Sequence, residues 1–270
     1  MAQVTEEKPL QELRQKAERI EREAAVEAKE GFPPQRVPRP VRNYRALVFQ
    51  GYVVFATIAF AILFLLARTV AYFDFDLAVE HAVQAFKPGG FDLLMQFVSG
   101  LGFNPVVYLL CALVILYIFV IGLKWESVML LFAAVGISLL GALVKVIVHR
   151  QRPSAELVNV FSPLNDYSFP SGHVLLFTAF AGFIWFLMYT LLQHGWHRTL
   201  GLFFFGVLIA LVGLSRVYLG QHWPSDVIAA YLLGSVWLAL TIYLYRWGKP
   251  RFFVHQPLAP EKPVSASAPT

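Results

Sequence analysis

Cationic side chains lie near the ends of long apolar segments in the second half of the chain. Lys145, Arg152 and Arg216 can neutralise a phosphate dianion, and each arginine can offer it two parallel hydrogen bonds. Ser171 and Gly172 stand where a helix is predicted to begin, so their backbone N–H groups and the positive end of the helix dipole favour an anion. These residue types together predict a phosphate-binding site.

Two histidines and a carboxylate accompany these cations. His222 and Asp226 are four residues apart, and Pro224 between them suits the first position of a helix. This spacing lets the carboxylate hold one imidazole nitrogen and leaves the other free as a nucleophile. His173 can then protonate the departing oxygen as a general acid. The pattern therefore predicts nucleophilic attack by a histidine.

The segments that must position these residues are long and apolar. A membrane-spanning helix needs about 20 predominantly apolar residues, and six segments meet or approach that length: 46–67, 104–123, 127–148, 172–193, 200–219 and 226–247. Successive spans run in opposite directions, so the polar groups of the last four collect on one face of the membrane. The predicted fold is all-α, a six-transmembrane-helix bundle.

Composition supports a membrane protein. The chain is 57% hydrophobic and 14% charged, whereas a soluble domain carries roughly 25% charged residues. A disordered chain is excluded, because it would combine low hydrophobicity with high net charge. Cys111 is the only cysteine, which excludes a disulfide framework and a thiolate metal site within one chain. The net charge of +5 does not indicate nucleic-acid binding, because no basic face on a soluble module accompanies it.

Three motifs resemble the signatures of the type 2 phosphatidic acid phosphatase and vanadium haloperoxidase superfamily, specifically its integral-membrane lipid phosphatase branch. They are Lys145-x6-Arg152-Pro153, Pro170-Ser171-Gly172-His173 and Ser215-Arg216-x5-His222-x3-Asp226. All three match in order and in internal spacing, and together they cover 145–226. The six-span layout extends the resemblance to about 46–247.

The resemblance implies a role for each matching residue. His222 would form a phosphohistidine, Asp226 would orient and polarise it, and His173 would be the acid for the leaving group. The phosphate would be bound by Lys145, Arg152, Ser171, Gly172 and Arg216. The substrate would be a membrane lipid phosphate of the phosphatidic acid, phosphatidylglycerol phosphate or undecaprenyl diphosphate class. No divalent metal or other cofactor is implied, and the sequence has no clustered carboxylate or Cys/His ligand set.

The chain divides into three parts by composition. Residues 1–45 hold 10 of the 22 Lys and Arg and 8 of the 17 Asp and Glu, so they form a charged extension. Within it, the spacing of apolar residues over 5–30 predicts an amphipathic cytoplasmic helix. This helix is solvated, self-associates as a short coiled coil or lies at the membrane interface, and these alternatives stay open. Residues 31–45 form a Pro/Arg-rich linker. The membrane domain covers 46–247, and 248–270 are predicted to be disordered.

The distribution of Lys and Arg predicts the orientation. Basic residues crowd before the first span and after the last, which places both termini in the cytoplasm. The loops 68–103, 149–171 and 220–225 then face outward with the site, and 68–103 is predicted to form interfacial helices. His149 and Arg150 lie outside the motifs and are predicted to contact headgroups or to anchor the chain at the interface. We expect a protein of a bacterial inner membrane.

Three alternative functions stay open at this point. A lipid phosphotransferase and a vanadium haloperoxidase share the motifs, although six spans argue against the soluble haloperoxidases. A transporter or non-catalytic membrane scaffold belongs to a different class. Transporter sites usually lie at the bilayer midplane, whereas these polar groups are predicted at one interface.

Overall fold

A computed structural model describes residues 39–252 of the chain. The described residues form helices and no strand. The helices are α1 (Arg39–Ala67), α2 (Asp74–Ala85), α3 (Phe91–Gly100), α4 (Val106–Val120), α5 (Lys124–Val148), α6 (Gly172–Leu191), α7 (Trp196–Tyr218) and α8 (Pro224–Phe252). The all-helical prediction is confirmed. The predicted amphipathic helix at 5–30 lies outside the described residues.

Within residues 39–252, five helices are long and apolar enough to cross a membrane. Their spanning segments are Ala46–Ala67, Lys124–Val148, Gly172–Leu191, Trp196–Tyr218 and Pro224–Lys249. Large apolar side chains such as Phe55, Leu139 and Phe203 are exposed along them, as expected for helices solvated by lipid tails. Five of the six predicted spans are thus long enough by this measure.

The sixth predicted segment, 104–123, forms the shorter apolar helix α4 of 15 residues. Pro105 precedes its first residue, and Gly122 follows its end with a φ of 92°, a left-handed conformation that stops the helix. At 1.5 Å per residue, α4 is about 22 Å long, against about 30 Å for a bilayer core.

Two helices extend beyond the predicted limits. α1 begins at Arg39, so the end of the predicted 31–45 linker is helical. Pro40 is compatible with this start, because the first turn of a helix needs no N–H from it. α8 continues to Phe252, past the predicted end of the membrane domain at residue 247.

The segment between the first two predicted spans forms α2 and α3, so helices stand where they were predicted, and their location at the membrane interface stays a prediction. Asp76 accepts a hydrogen bond from the Phe73 N–H at 3.0 Å, which holds the first turn of α2. α3 packs on the end of α7, where Met95 lies in a buried cluster with Tyr218 and Leu219. This contact places α3 beside the residues that precede His222.

The core lies between α5, α6, α7 and α8. Its most buried apolar side chains include Leu130, Ile137, Leu175, Phe183, Val212 and Ala230. One turn of α6, Phe177–Ala181, has π-helical hydrogen bonding, and such turns often occur near functional sites. The four helices bring the C-terminal ends of α5 and α7 and the N-terminal ends of α6 and α8 to the same end of the bundle.

Candidate active site

A pocket of about 380 Å³ lies at this end of the bundle. Six of the eight site residues predicted from the sequence line it: Lys145, Arg152, Gly172, His173, Arg216 and His222. Ser171 and Asp226 are fully buried beside them. The structure therefore brings together groups that are up to 81 residues apart in the chain.

His222 lies in the short turn between α7 and α8. Its backbone N–H donates to the Arg216 carbonyl at 3.3 Å, which fixes the turn. Its Nε2 is 3.0 Å from Nη1 of Arg152, and both residues line the pocket. Burial, together with the positive charges of Arg152, Arg216, Lys145 and His173, lowers the pKa of His222 well below its usual value. The imidazole is therefore neutral near pH 7, which is the form that can act as a nucleophile.

The other ring nitrogen of His222 faces Asp226, as the spacing of four residues predicts. Nδ1 is 3.7 Å from Oδ2 of Asp226, which is longer than a hydrogen bond. The Ser168 hydroxyl lies beside both groups: it donates to Oδ2 of Asp226 and is 3.4 Å from Nδ1. Ser168 was missed as a site residue, although it stands three residues before the Ser171 of the second motif.

The Asp226 carboxylate is held by the backbone as well as by side chains. The Trp223 N–H donates to Oδ2 at 3.1 Å, while Oδ1 accepts a 2.6 Å hydrogen bond from Arg150. The prediction that Arg150 contacts headgroups or anchors the chain is wrong, because Arg150 is only 2% exposed. His149 ends α5 with a left-handed φ of 56°, and this turn directs Arg150 inward.

Arg216 lies on α7 and is fully buried. It donates to the Ser99 hydroxyl of α3, and its guanidinium carbon is 5.2 Å from the centroid of the Phe103 ring. Nε and Nη2 have no hydrogen-bond partner among the described residues, and the Ser171 hydroxyl is likewise unpaired there. Buried donors of this kind are costly unless an anion or another acceptor binds them.

Lys145 and Arg152 both bind a carboxylate from the loop between α5 and α6. Lys145 Nζ is 2.7 Å from one oxygen of Asp166, and Arg152 Nη2 is 2.6 Å from the other. Burial alone would raise the pKa of Asp166, but the hydrogen bond and charge of Lys145 and the charge of Arg152 lower it overall. The Asp166 carboxylate thus bridges the two cations, and a phosphate could bridge them in the same way.

His173 stands in the first turn of α6, where it faces the pocket. Its Nε2 is 3.5 Å from Nη1 of Arg216, and its ring contacts Phe103 edge-on at 5.1 Å between centroids. The preceding Gly172 also lines the pocket at the start of α6, where the first backbone N–H groups have no intrahelical acceptor. The imidazole of His173 and the N-terminal end of α6 thus lie on the same side of the pocket.

Gly102 sets the position of the His173 ring. A Cβ atom at Gly102 would lie 2.1 Å from Cδ2 of His173, so we expect Gly102→Ala to displace the imidazole and to lower kcat about 100-fold. Gly100→Ala is the matched control, because a Cβ at Gly100 meets no atom within 4 Å. The measurement is phosphate release by both purified variants. Equal activity of the two would contradict this packing role.

The comparisons with known proteins agree with this architecture. The profile of the PAP2 superfamily matches residues 126–250. The bacitracin transport permease protein BcrC of Bacillus licheniformis is 33% identical over 184 residues, which cover 61% of this chain and 83% of the relative. An undecaprenyl-diphosphatase of Sulfolobus acidocaldarius is 43% identical over 74 residues, 27% of this chain and 31% of the relative.

A solved structure is similar over most of this chain. It is the transmembrane PAP2-type phosphatidylglycerolphosphate phosphatase of Bacillus subtilis, with a TM-score of 0.64 and 26% sequence identity. The match covers 74% of this chain and 98% of that structure. This chain therefore belongs to the PAP2 superfamily. The predicted family and enzyme class are confirmed: the protein is an integral-membrane phosphatase of this superfamily.

Proposed function

We propose that this protein hydrolyses the phosphomonoester or diphosphate headgroup of a membrane lipid through a phosphohistidine on His222. The observation that carries the proposal is the pocket itself, where a neutral imidazole faces three cations. Arg216 adds two buried donors with no partner among the described residues. Such donors match the equatorial oxygens of a phosphoryl group, whose charge they would stabilise in the transition state.

The reaction proceeds in two steps. Nε2 of His222 attacks phosphorus, and the bond from phosphorus to the leaving oxygen breaks with its electron pair on that oxygen. His173 in its protonated form gives its proton to that oxygen, so that a neutral lipid alcohol or a protonated lipid phosphate departs. Neutral His173 then takes a proton from water as the water oxygen attacks phosphorus. The bond from phosphorus to Nε2 of His222 breaks with its electron pair on the nitrogen, which releases inorganic phosphate and restores the neutral imidazole. Asp226 favours the cationic imidazole that forms on His222.

Asp166 competes with the substrate for Lys145 and Arg152. Because the phosphate must displace this carboxylate from both cations, we expect Asp166→Asn to lower the inhibition constant of inorganic phosphate about tenfold. Glu156→Gln is the matched control, since Glu156 is exposed on the same loop. Inhibition of hydrolysis by added phosphate measures the effect. An unchanged inhibition constant would mean that Asp166 does not occupy the phosphate site.

The apolar surroundings of the pocket support a lipid substrate. Val107, Leu175 and Leu176 line the pocket wall, and Leu176 and Val107 also line an apolar groove of about 710 Å³ between α4, α6 and α7. The hydrocarbon chain of the substrate would lie in apolar surroundings of this kind. Phosphate release from phosphatidic acid, phosphatidylglycerol phosphate and undecaprenyl diphosphate tests the function and selects among these classes. Turnover of none of them would overturn it.

Transport and phosphate transfer between lipids can be distinguished from hydrolysis by their products. The name of the BcrC relative favours transport as a second candidate, but the polar groups here lie at one end of the helices rather than midway along them. Phosphate release by purified protein in detergent, with EDTA present, excludes a transporter without hydrolase activity. A phosphotransferase would instead place the phosphate on an added acceptor lipid.

We further propose that α4 is the sixth crossing. Only residues 121–123 separate it from α5, and its Val107 end lines the same pocket as Lys145 at the far end of α5. α4 therefore runs antiparallel along α5 between the two ends of the bundle. Six crossings place both termini on one side, which the basic residues assign to the cytoplasm. Self-association through 5–30 stays a prediction.

The proposed orientation puts the active site on the outer face of a bacterial inner membrane. We expect a cysteine introduced at Ser154, which is exposed near the pocket, to react with an impermeant maleimide on intact cells. A cysteine at the exposed Thr199, at the other end of α7, should react only after the cells are opened. Cys111 is buried and gives little background. The reversed pattern would place the site in the cytoplasm.

A further inference from the structure

A buried chain of charged groups lies behind the catalytic histidine, on the side away from the pocket. We propose that Asp76 of α2 and Arg150 are positioning residues that orient the Asp226 carboxylate toward His222. The inference rests on the proposed function and deepens it. It links α2, which lies outside the three motifs, to the reacting imidazole.

The geometry of this chain is continuous. Arg150 Nη1 is 2.6 Å from Oδ1 of Asp226, and its Nη2 is 3.0 Å from Oδ2 of Asp76. The Ser225 hydroxyl accepts from Arg150 at 2.7 Å and donates to Asp76 at 2.8 Å, while the Ser225 N–H donates to the other Asp76 oxygen at 2.8 Å. Arg150 Nε donates to the Ala71 carbonyl at 2.9 Å. The guanidinium is thereby fixed in one plane.

This arrangement decides which oxygen of Asp226 meets the histidine. Arg150 binds Oδ1, so the carboxylate cannot rotate without breaking a charge-assisted hydrogen bond in a dry environment. Oδ2 is then the oxygen that faces His222 and accepts from Ser168 and the Trp223 N–H. Buried ion pairs contribute little net stability because of desolvation. Their value here is the orientation of the carboxylate.

The charged groups of this chain lie directly behind the histidine, since Oδ2 of Asp226 is 3.7 Å from Nδ1 of His222. One cation, Arg150, lies between the two carboxylates of Asp76 and Asp226, which leaves one net negative charge. Glu80 is buried nearby without a partner among the described residues, and burial together with the charges of Asp76 and Asp226 raises its pKa to about 8. Glu80 is therefore neutral near pH 7. The other groups that face His222 are Arg152, Arg216, Lys145 and His173.

Two variants separate charge from geometry. Asp76→Asn removes one negative charge, so we expect the pKa of His222 to fall further. The acid limb of the pH profile of kcat/KM, which reports this pKa, should then move to a pH that is lower by about 0.5–1 unit. Arg150→Lys keeps the charge but cannot bridge both carboxylates, so kcat falls about 10- to 100-fold with no movement of that limb. In both variants, we expect KM to change less than about threefold, because neither group touches the substrate.

Control variants separate a loss of positioning from a loss of folding. Asp74→Asn changes an exposed carboxylate two residues from Asp76 on the same helix, and it should match the wild type. Ser225→Ala removes the bridging hydroxyl without a change of charge, so it should fold, lower kcat severalfold and leave the pH profile in place. Thermal unfolding of each purified variant in detergent is measured beside its kinetics.

Each outcome decides between the two claims. If folded Asp76→Asn keeps the wild-type kcat and pH profile, or if Ser225→Ala and Arg150→Lys keep the wild-type kcat, the positioning role is overturned. If Asp76→Asn does not fold, Ser225→Ala and Arg150→Lys decide. If the wild-type protein releases no phosphate from any lipid phosphate, the proposed function fails and the positioning role fails with it.

Discussion

His222→Ala should reduce lipid phosphate hydrolysis by at least about 10⁴-fold, because a methyl group cannot attack phosphorus. The loss should appear in kcat, since the cations that bind phosphate are unchanged. Hydrolysis of the best lipid phosphate by purified protein in detergent is the measurement. His194→Ala is the matched control, because His194 is exposed at the opposite end of the bundle.

The side chain of His222 is buried, so its removal must also be checked for folding. Thermal unfolding in detergent, with and without inorganic phosphate, gives that check, since a folded variant that retains the cations is still stabilised by phosphate. Near-normal phosphate release by folded His222→Ala would exclude His222 as the nucleophile.

The second large effect concerns His173 and depends on the leaving group. A lipid alkoxide needs a proton as it departs, so His173→Ala should lower kcat about 10²–10⁴-fold on a lipid phosphate. A nitrophenolate departs with little protonic assistance, so the same variant should lose much less activity on p-nitrophenyl phosphate. His222→Ala should fail on both substrates, because both require attack on phosphorus.

The two substrates serve as controls for each other. Loss of phosphate binding would affect both equally, whereas loss of the acid affects mainly the lipid. Inhibition by inorganic phosphate should change little in His173→Ala. An equal loss of kcat on both substrates, with phosphate inhibition intact, would mean that His173 positions the phosphate and does not protonate the leaving oxygen.

The main parts of the pocket could be predicted from the sequence. The motifs stand at the ends of apolar segments, and the alternation of helix direction brings such ends together. Lys145, His173, Arg216 and His222 therefore meet in the structure, as the segments predict. The spacing of four residues also predicts the approach of Asp226 to His222, because it places His222 in the turn before α8 and Asp226 in the first turn of α8.

The groups that support the pocket could not be predicted in the same way. Arg150 stands beside a motif arginine at the end of a span, where a basic residue ordinarily indicates the interface. Its burial depends on Asp76, which is 74 residues away on a helix with no motif. Gly102 and Ser99 act through contacts with α6 and α7 that exist only after α3 has packed.

Helix lengths were predicted less well than helix positions. Hydropathy alone extends the second span to 104–123, but the turn at Gly122 and the position of Pro105 shorten α4 to 15 residues. At the N-terminal side, α1 extends into the predicted linker because Pro40 is tolerated in a first turn. In both cases the backbone conformation that proline or glycine allows decides where the helix begins or ends.

The central claim is that the phosphoryl group is carried on His222. Wild-type protein is mixed with a lipid substrate labelled with ³²P at the phosphate that is released, and the reaction is quenched within milliseconds in base, because phosphohistidine is labile to acid. We expect a labelled protein whose label is removed by acid and maps by mass spectrometry to the peptide that contains His222, and we expect no label on His222→Ala. Rapid hydrolysis by wild-type protein with no labelled His222, or with the label on another residue, would contradict the account.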